Sequence, residues 1–323
     1  MPTILERALA ATAAAALVLA TSTSAAPARS AAQADARIVF VDVGAGDGVV
    51  IRVGDAVVLS DAGELNIPFL YEALDKALAE TGSREIEAII LSHAHDDHVK
   101  NVELLVESHR YKVRQVLLSH NDHWSETQTN RNVMDAIRRH GISKTYVRSG
   151  QRFHFGGATW TILNPARGAF TESDQVENGS VAYALEVSGK RFLFTGDIKE
   201  AGEREVAAEL ERMQLGPVDV LLATHHGSKN ASHSFFLEAV EPRTAVISVG
   251  RGHGHPHLEA IDRLRGAGAT IWCTAWNGNV TATVSAGESV KVRIRGSLRP
   301  AAWWLRGERH SRGPCVDKDG VAR

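Results

Sequence analysis

The segment that most limits how this chain can fold is Ser92-His93-Ala94-His95-Asp96-Asp97-His98, set directly behind the largely apolar run 86–91. A run of that length and content reads as a strand buried inside a sheet. Three imidazoles and two carboxylates are therefore delivered to the rim of a core, where such groups are costly unless paired. Neutral imidazole together with carboxylate is the donor set of zinc-like ions. The segment reads as a metal site, and the fold has to carry further donors to it.

Two later segments end in the same chemistry. Phe192-Leu193-Phe194-Thr195-Gly196-Asp197 is a strand that closes in Gly-Asp. On its own a Gly-Asp ending is a common turn, in which glycine lets the backbone approach closely. Leu221-Leu222-Ala223-Thr224-His225-His226-Gly227-Ser228 is again a buried strand that hands histidines to a loop. His226 is favoured as the ligand of that pair, although the sequence leaves open which ring faces inward.

Around these segments, apolar stretches at 37–43, 49–53 and 56–60 are separated by Gly/Asp turns and read as a strand meander. A helix is expected over 67–79, ended by Thr81-Gly82. Further strands are expected at 113–118, 159–163, 181–187, 191–195, 218–223, 245–249, 270–275 and 280–295, with helices near 130–140, 200–210, 234–239 and 258–264. A meander joined to strand/helix alternation implies an α/β (α+β) domain over 37–297, with two sheets face to face and helices outside, a four-layer αββα sandwich. Residues 298–323 read as a loose C-terminal tail.

Composition adds bounds rather than a function. Of 323 residues 44% are hydrophobic and 23% charged, enough for a substantial core, and the formal net charge of -2 supplies no whole-chain basic field for nucleic acid. Residues 1–36 open with a short stretch carrying Arg7, continue through a run at 8–20 almost wholly of Ala, Leu and Val and end in small residues, the pattern of a secretory signal peptide. Ser24-Ala25-Ala26 and Ala34-Asp35-Ala36 each suit a cleavage site. Export to the periplasm or the extracellular space is expected, with no stable membrane anchor. Cys273 and Cys315 cannot build a disulfide framework; they either pair with each other or stand apart, and neither has the spacing of a metal site.

The H-x-H-x-D-H motif behind an apolar strand resembles the signature of the metallo-β-lactamase superfamily. By matching positions, the resemblance implies the metallo-β-lactamase fold and two divalent ions: metal 1 on His93 and His95, metal 2 on Asp97 and His98, with Asp197 bridging. Asp96 falls on a variable motif position. Val41-Asp42-Val43-Gly44-Ala45-Gly46-Asp47-Gly48, Asn178-Gly179-Ser180, His-His-Gly-Ser and Gly254-His255-Pro256-His257 narrow the resemblance to the hydrolase domain of ComEC-type competence proteins and their stand-alone relatives. Many superfamily members supply a third histidine to metal 1 shortly before the Gly-Asp segment. Here that region offers Asn178 and Ser180, so either the Asn178 carbonyl or solvent fills the position. His109, His120, His123, His140 and His154 are read as surface or structural. Asp61 matches the family aspartate that holds the ligand loop by fixing a histidine tautomer. Asp47 either lines the cleft or bonds its own turn.

The resemblance implies hydrolysis by a metal-coordinated hydroxide, with Asp97, His225 and His255 as the catalytic set and either His225 or His255 as the donor to the departing oxygen. Zinc is expected, although the same donors accept manganese or iron. The implied substrate is a phosphodiester, with DNA as one candidate and a choline-phosphate-type ester as another. A small-ester or lactam hydrolase and a non-catalytic exported metal-binding protein are the alternatives, and no protein partner is expected. There is no Gly-x-Ser-x-Gly elbow and no Walker-type phosphate loop.

Overall fold

The computed structural model describes residues 34–119, 124–166, 175–250 and 254–295. Residues 1–33 of the expected leader, the whole of the expected tail at 298–323, His120, His123 and Cys315 lie outside the described residues. The first half of the domain runs β1 (Ala36–Phe40), β2 (Gly48–Val53), β3 (Ala56–Ala62), α1 (Ile67–Thr81), β4 (Glu85–Ile86), β5 (Ala88–Leu91), α2 (Asp96–Glu107), β6 (Lys112–Val113), β7 (Gln115–Ser119), α3 (Gln128–Arg139) and β8 (Ser143–Val147). The second half runs β9 (Arg152–Phe155), β10 (Ala158–Asn164), α4 (Gln175–Asn178), β11 (Ala182–Val187), β12 (Lys190–Phe194), α5 (Glu200–Arg212), β13 (Val220–Leu222), α6 (Ser234–Val240), β14 (Thr244–Ile247), α7 (Leu258–Gly266), β15 (Thr270–Cys273), α8 (Thr274–Asn277), β16 (Asn279–Val284) and β17 (Lys291–Arg295).

The first sheet has the order β17-β16-β1-β2-β3-β5-β7-β8 and the second β15-β14-β13-β12-β11-β10-β9. Each sheet is antiparallel on one side and parallel on the other, with β3-β5-β7-β8 and β12-β13-β14-β15 running parallel. Strand composition follows the layer. The central strand β5, Ala-Ile-Ile-Leu, is buried along its whole length, whereas β16 alternates between buried and half-buried residues.

One apolar core lies between the sheets, where Phe40 stacks on Phe194 at 6.2 Å and Phe194 on Tyr183 at 4.7 Å. A second core fills the space between the first sheet and α1, α2 and α3, and a third lies between the other sheet and α5, α6 and α7. Three apolar layers between four structural layers make the αββα sandwich anticipated from the sequence. Helix α1 shows the cause locally: Leu70, Ala73, Leu74, Ala77 and Leu78 form a buried stripe of helical spacing, and Gly82 at φ 67 ends the helix. No described helix is long and apolar enough to cross a membrane.

Several expected boundaries shift. The single strand 280–295 is a hairpin, β16 and β17, paired from Asn279↔Arg295 to Thr283↔Lys291. The strand 270–275 stops at Cys273 because α8 begins at Thr274. Strands β8 and β9 were not anticipated, since their exposed polar residues hide the alternation. The domain also starts before 37. Ala34 and Ala36 are buried, the Asp35 carbonyl accepts from Gly54 N at 3.0 Å, and the Ala34 carbonyl accepts from Ser188 Oγ at 2.6 Å.

Two features of the framework fix where the loops at the strand ends lie. Gly46, at φ +83, sits against the backbone of Asp97, where a Cβ would be 1.5 Å from the Asp97 carbonyl oxygen. Glu203 of α5 is fully buried and gathers the loop after β13: its carboxylate accepts from Thr224 Oγ1 at 2.9 Å, from Ser232 N, from His233 N at 3.2 Å and from the His233 ring at 2.7 Å.

Gly46→Ala is expected to cost at least about 3 kcal/mol, from a forbidden contact added to an unfavourable φ, read as a fall in the urea midpoint. Glu203→Ala leaves buried donors without an acceptor and is expected to cost about 3 kcal/mol in the same measurement. Glu203→Gln, which keeps one acceptor oxygen, should lose less.

Candidate metal centre

The chemistry-bearing residues sit where core strands end. β5 leads into His93 and His95, and α2 starts inside the motif, so that Asp96, Asp97 and His98 occupy its first turn. Two aspartates suit that position because carboxylates favour a helix N-terminus. β12 leads through Gly196 to Asp197, and β13 leads to His225 and His226. A Cβ on Gly196 would fall 2.8 Å from Ser92 Cβ and 3.0 Å from Ser180 Cβ, so only glycine lets the two sheets' loops meet there. His225 and His226 take φ 48 and 53, a left-handed pair that side chains adopt only under constraint. The Glu203 network and the bond from His225 N to Gly196 O, 3.1 Å, supply that constraint.

His98 Nε2, His226 Nε2 and Asp197 Oδ1 form a near-equilateral triangle with edges of 3.2, 3.2 and 3.3 Å, and Asp97 Oδ2 stands 3.4 Å from His226 Nε2. Ligands about 2.0–2.1 Å from a tetrahedral ion are about 3.3 Å from one another. Both imidazoles are oriented from behind. His98 Nδ1 lies 2.9 Å from Asp61 Oδ2, and His226 Nδ1 lies 2.9 Å from the Ser248 carbonyl. A proton donated by each Nδ1 leaves the Nε2 lone pair facing the centre. Asp197 Oδ1 is buried and makes no hydrogen bond of regular geometry, so the donor set fits a divalent cation and does not satisfy itself without one.

The other oxygen of the same carboxylate faces a second group. Asp197 Oδ2 lies 3.9 Å from His93 Nε2 and 3.6 Å from His225 Nε2, while His93 Nε2 and His95 Nδ1 are 3.0 Å apart. Ser92 Oγ, 3.0 Å from His93 Nδ1 and 3.2 Å from His98 Nδ1, buttresses both sets. The second set is spaced more widely about Asp197 than the first, with the nearest approach to Oδ2 at 3.6 Å against 3.2 Å to Oδ1.

Charge is dense here. Burial alone would raise the Asp197 carboxyl, yet the His226 and His98 imidazoles hold it well below the usual carboxylate range. The Asp97 carboxyl shows the same balance, with burial opposed by His98 and His226 and the net shift downward. Burial works against a charge on His98 and on His226, but Asp197, with Asp97 beside it, raises both well above an ordinary imidazole. Burial and then His98 push His93 down, and burial pushes His225 down. His255, desolvated and facing His226, His225 and His257, is lowered to about 4. Burial raises Asp61, with His98 opposing.

The structure thus brings together His93, His95, Asp97, His98, Asp197, His225 and His226, and it turns the His226 ring into the main cluster. Asp47 is buried beside it, with Oδ1 3.5 Å from His226 Nδ1 and Oδ2 4.0 Å from His98 Nδ1, which places it behind the imidazoles. Asp61 also bonds Ser92 N at 2.8 Å and so holds the motif by two contacts. The His255 ring is 5.8 Å from that of His225, at the edge of the site. Asn178 is a correction: its side-chain oxygen accepts from Lys199 N at 2.9 Å and Gly202 N at 3.0 Å, so it caps α5 and is not free to fill the third position of metal 1. Ser180 Oγ accepts from Asp197 N at 3.2 Å and positions that residue's backbone. Asp96 turns outward to Thr129 Oγ1 at 3.1 Å. Sequence reasoning missed Ser92, Ser248 and Glu203, because a serine beside a motif, a carbonyl and a helical glutamate carry no signal until the fold brings them to the histidines.

Residues 58–274 match the model of the Beta-lactamase superfamily domain. ComE operon protein 3 of Bacillus subtilis is 26% identical over 257 residues, covering 74% of this chain and 32% of its own length. Competence protein ComA of Neisseria gonorrhoeae is 24% identical over 261 residues, covering 79% of this chain and 33% of its own. The chain therefore spans about a third of the length of these curated relatives. Among solved structures, CmlA, a diiron β-hydroxylase from Streptomyces venezuelae, shares the fold with a TM-score of 0.51 at 15% identity, over 77% of this chain and 54% of that one. On the match over 58–274, the chain belongs to the β-lactamase superfamily and has the metallo-β-lactamase fold.

Proposed function

We propose that this protein is an exported metal-dependent hydrolase that cleaves phosphodiesters at a dinuclear centre, with DNA outside the cytoplasm as the first substrate to test. The observation that carries the reading is Asp197, whose two oxygens face separate sets of nitrogen donors, Oδ1 toward His98 and His226 and Oδ2 toward His93 and His225. His98, His226, Asp97 and Asp197 would hold one cation, and His93, His95 and Asp197 the other. His225 is close enough to fill the position that Asn178 does not. Bound there, two divalent cations, zinc by preference, supply Lewis acidity and lower the pKa of a water toward neutrality.

The chain's own residues do the rest. Asp61, Ser92 and the Ser248 carbonyl hold the imidazole rings and their tautomers, so the centre is preorganised before substrate arrives. His255, kept neutral by its surroundings, stands at the rim beside His225, where a ring N–H can donate to a phosphoryl or leaving oxygen. The likeness to competence proteins supports a phosphodiester over a lactam. The net charge of -2 provides little long-range attraction for DNA, so a smaller phosphodiester is the other substrate to test.

Purified, zinc-loaded protein is expected to turn over bis(p-nitrophenyl) phosphate and plasmid DNA and to leave nitrocefin intact. Nitrocefin hydrolysis without phosphodiester turnover would overturn the substrate class. Asp97→Ala should abolish turnover in the same assay; full activity in that variant would remove the proposed mechanism. Asp61→Asn should weaken zinc affinity by about 10–100-fold while leaving the fold intact, as measured by competition with a chromogenic chelator. Stripping the metal should also lower the melting temperature, because buried aspartates lose their counter-charge, and zinc should restore it.

A further inference from the structure

Two described histidines outside the centre, His109 and His140, meet where α2 and α3 end. His109 follows the end of α2, and His140 follows the end of α3. His109 is held at φ 53, a backbone region that costs a histidine of the order of 1 kcal/mol. The two rings have centroids 4.9 Å apart, at 49° to one another. His140 Nε2 lies 3.3 Å from Glu107 Oε2, and one ligand atom from each of Glu107, His109 and His140 falls within 4.8 Å of the others. No hydrogen bond among the described residues occupies the His109 ring.

We propose that Glu107, His109 and His140 form a second metal site that takes one divalent cation of the zinc, nickel or copper type, with water completing its shell. Two imidazoles and one carboxylate with an open position form a recognised three-ligand set. Imidazole donors favour nickel, copper and zinc over magnesium or calcium. The 3.3 Å between His140 Nε2 and Glu107 Oε2 matches the edge of about 3.3 Å expected for a tetrahedral site. The Glu107 carboxylate is already oriented, since Arg139 donates to its Oε1 at 2.6 Å. The same guanidinium repels an incoming cation, so affinity is set below that of the buried centre.

The position gives the site a use. Helix α2 carries the ligands Asp97 and His98 in its first turn and ends at Glu107, and at about 1.5 Å rise per residue its 12 residues span about 18 Å. A cation on the three residues ties the last turn of α2 to the last turn of α3 and steadies the helix whose other end carries the buried centre. The proposal stands apart from the hydrolase reading, because none of its ligands belongs to that centre.

Full-length protein stripped with chelator and titrated calorimetrically with zinc chloride is expected to show one more binding event than His109→Ala or His140→Ala. Both variants should keep full phosphodiester turnover when zinc-loaded. The additional event should persist in Asp97→Ala, and Arg139→Gln should tighten it several-fold. Circular dichroism verifies that the variants fold, and Glu107→Gln replaces any that does not. Isotherms identical for wild type and the folded His109, His140 or Glu107 variants would overturn the site, as would an Arg139→Gln chain with weaker binding.

Discussion

A buried carboxylate has to be compensated, and at Asp197 the compensating groups among the described residues are imidazoles that belong to different parts of the chain. His98 and His93 come from the first sheet, and His226 and His225 from the second. An uncompensated charge at a site with almost no solvent access would cost several kcal/mol, so these loops cannot drift apart without exposing that cost. The same density of donors that holds the two halves together is what suits the place to cations.

The framework serves this meeting point. Val181 N donates to the Ser92 carbonyl at 2.7 Å, His225 N to the Gly196 carbonyl at 3.1 Å, and Ser248 Oγ to the Gly46 carbonyl at 3.0 Å. Each bond spans segments that are distant in sequence and adjacent at the centre. Backbone strain is concentrated in the same region, where His225, His226 and Gly227 carry positive φ in succession. Such a run persists only when its surroundings fix it, and buried Glu203, Thr224 and Ser232 provide the fixing. Preorganisation at the donors is thus sustained by a polar network one layer further out.

Legibility in the sequence followed chemical periodicity. Buried strands such as β5 and β13, and the apolar stripe of α1, were visible because composition and spacing state their burial directly. The histidine and aspartate motifs were visible because polar groups behind apolar strands contradict ordinary core composition. Helix α2 was not, because Asp96-Asp97-His98 reads as a ligand loop until one sees that its aspartates favour a helix start. The role of Asn178 stayed open for a related reason: a carboxamide near the site can ligate or cap, and only the placement of Lys199 N and Gly202 N decides between them. Which of His225 and His226 enters the main cluster depended on backbone angles that no side-chain pattern encodes.

Anomalous diffraction from crystals of the zinc-loaded protein tests the central claim most directly. Two peaks are predicted, one on each side of Asp197: the first within bonding distance of His98, His226 and Asp97, the second within bonding distance of His93 and His95. Peaks confined to other residues, or a loaded protein with nothing bound to Asp197, would contradict the account.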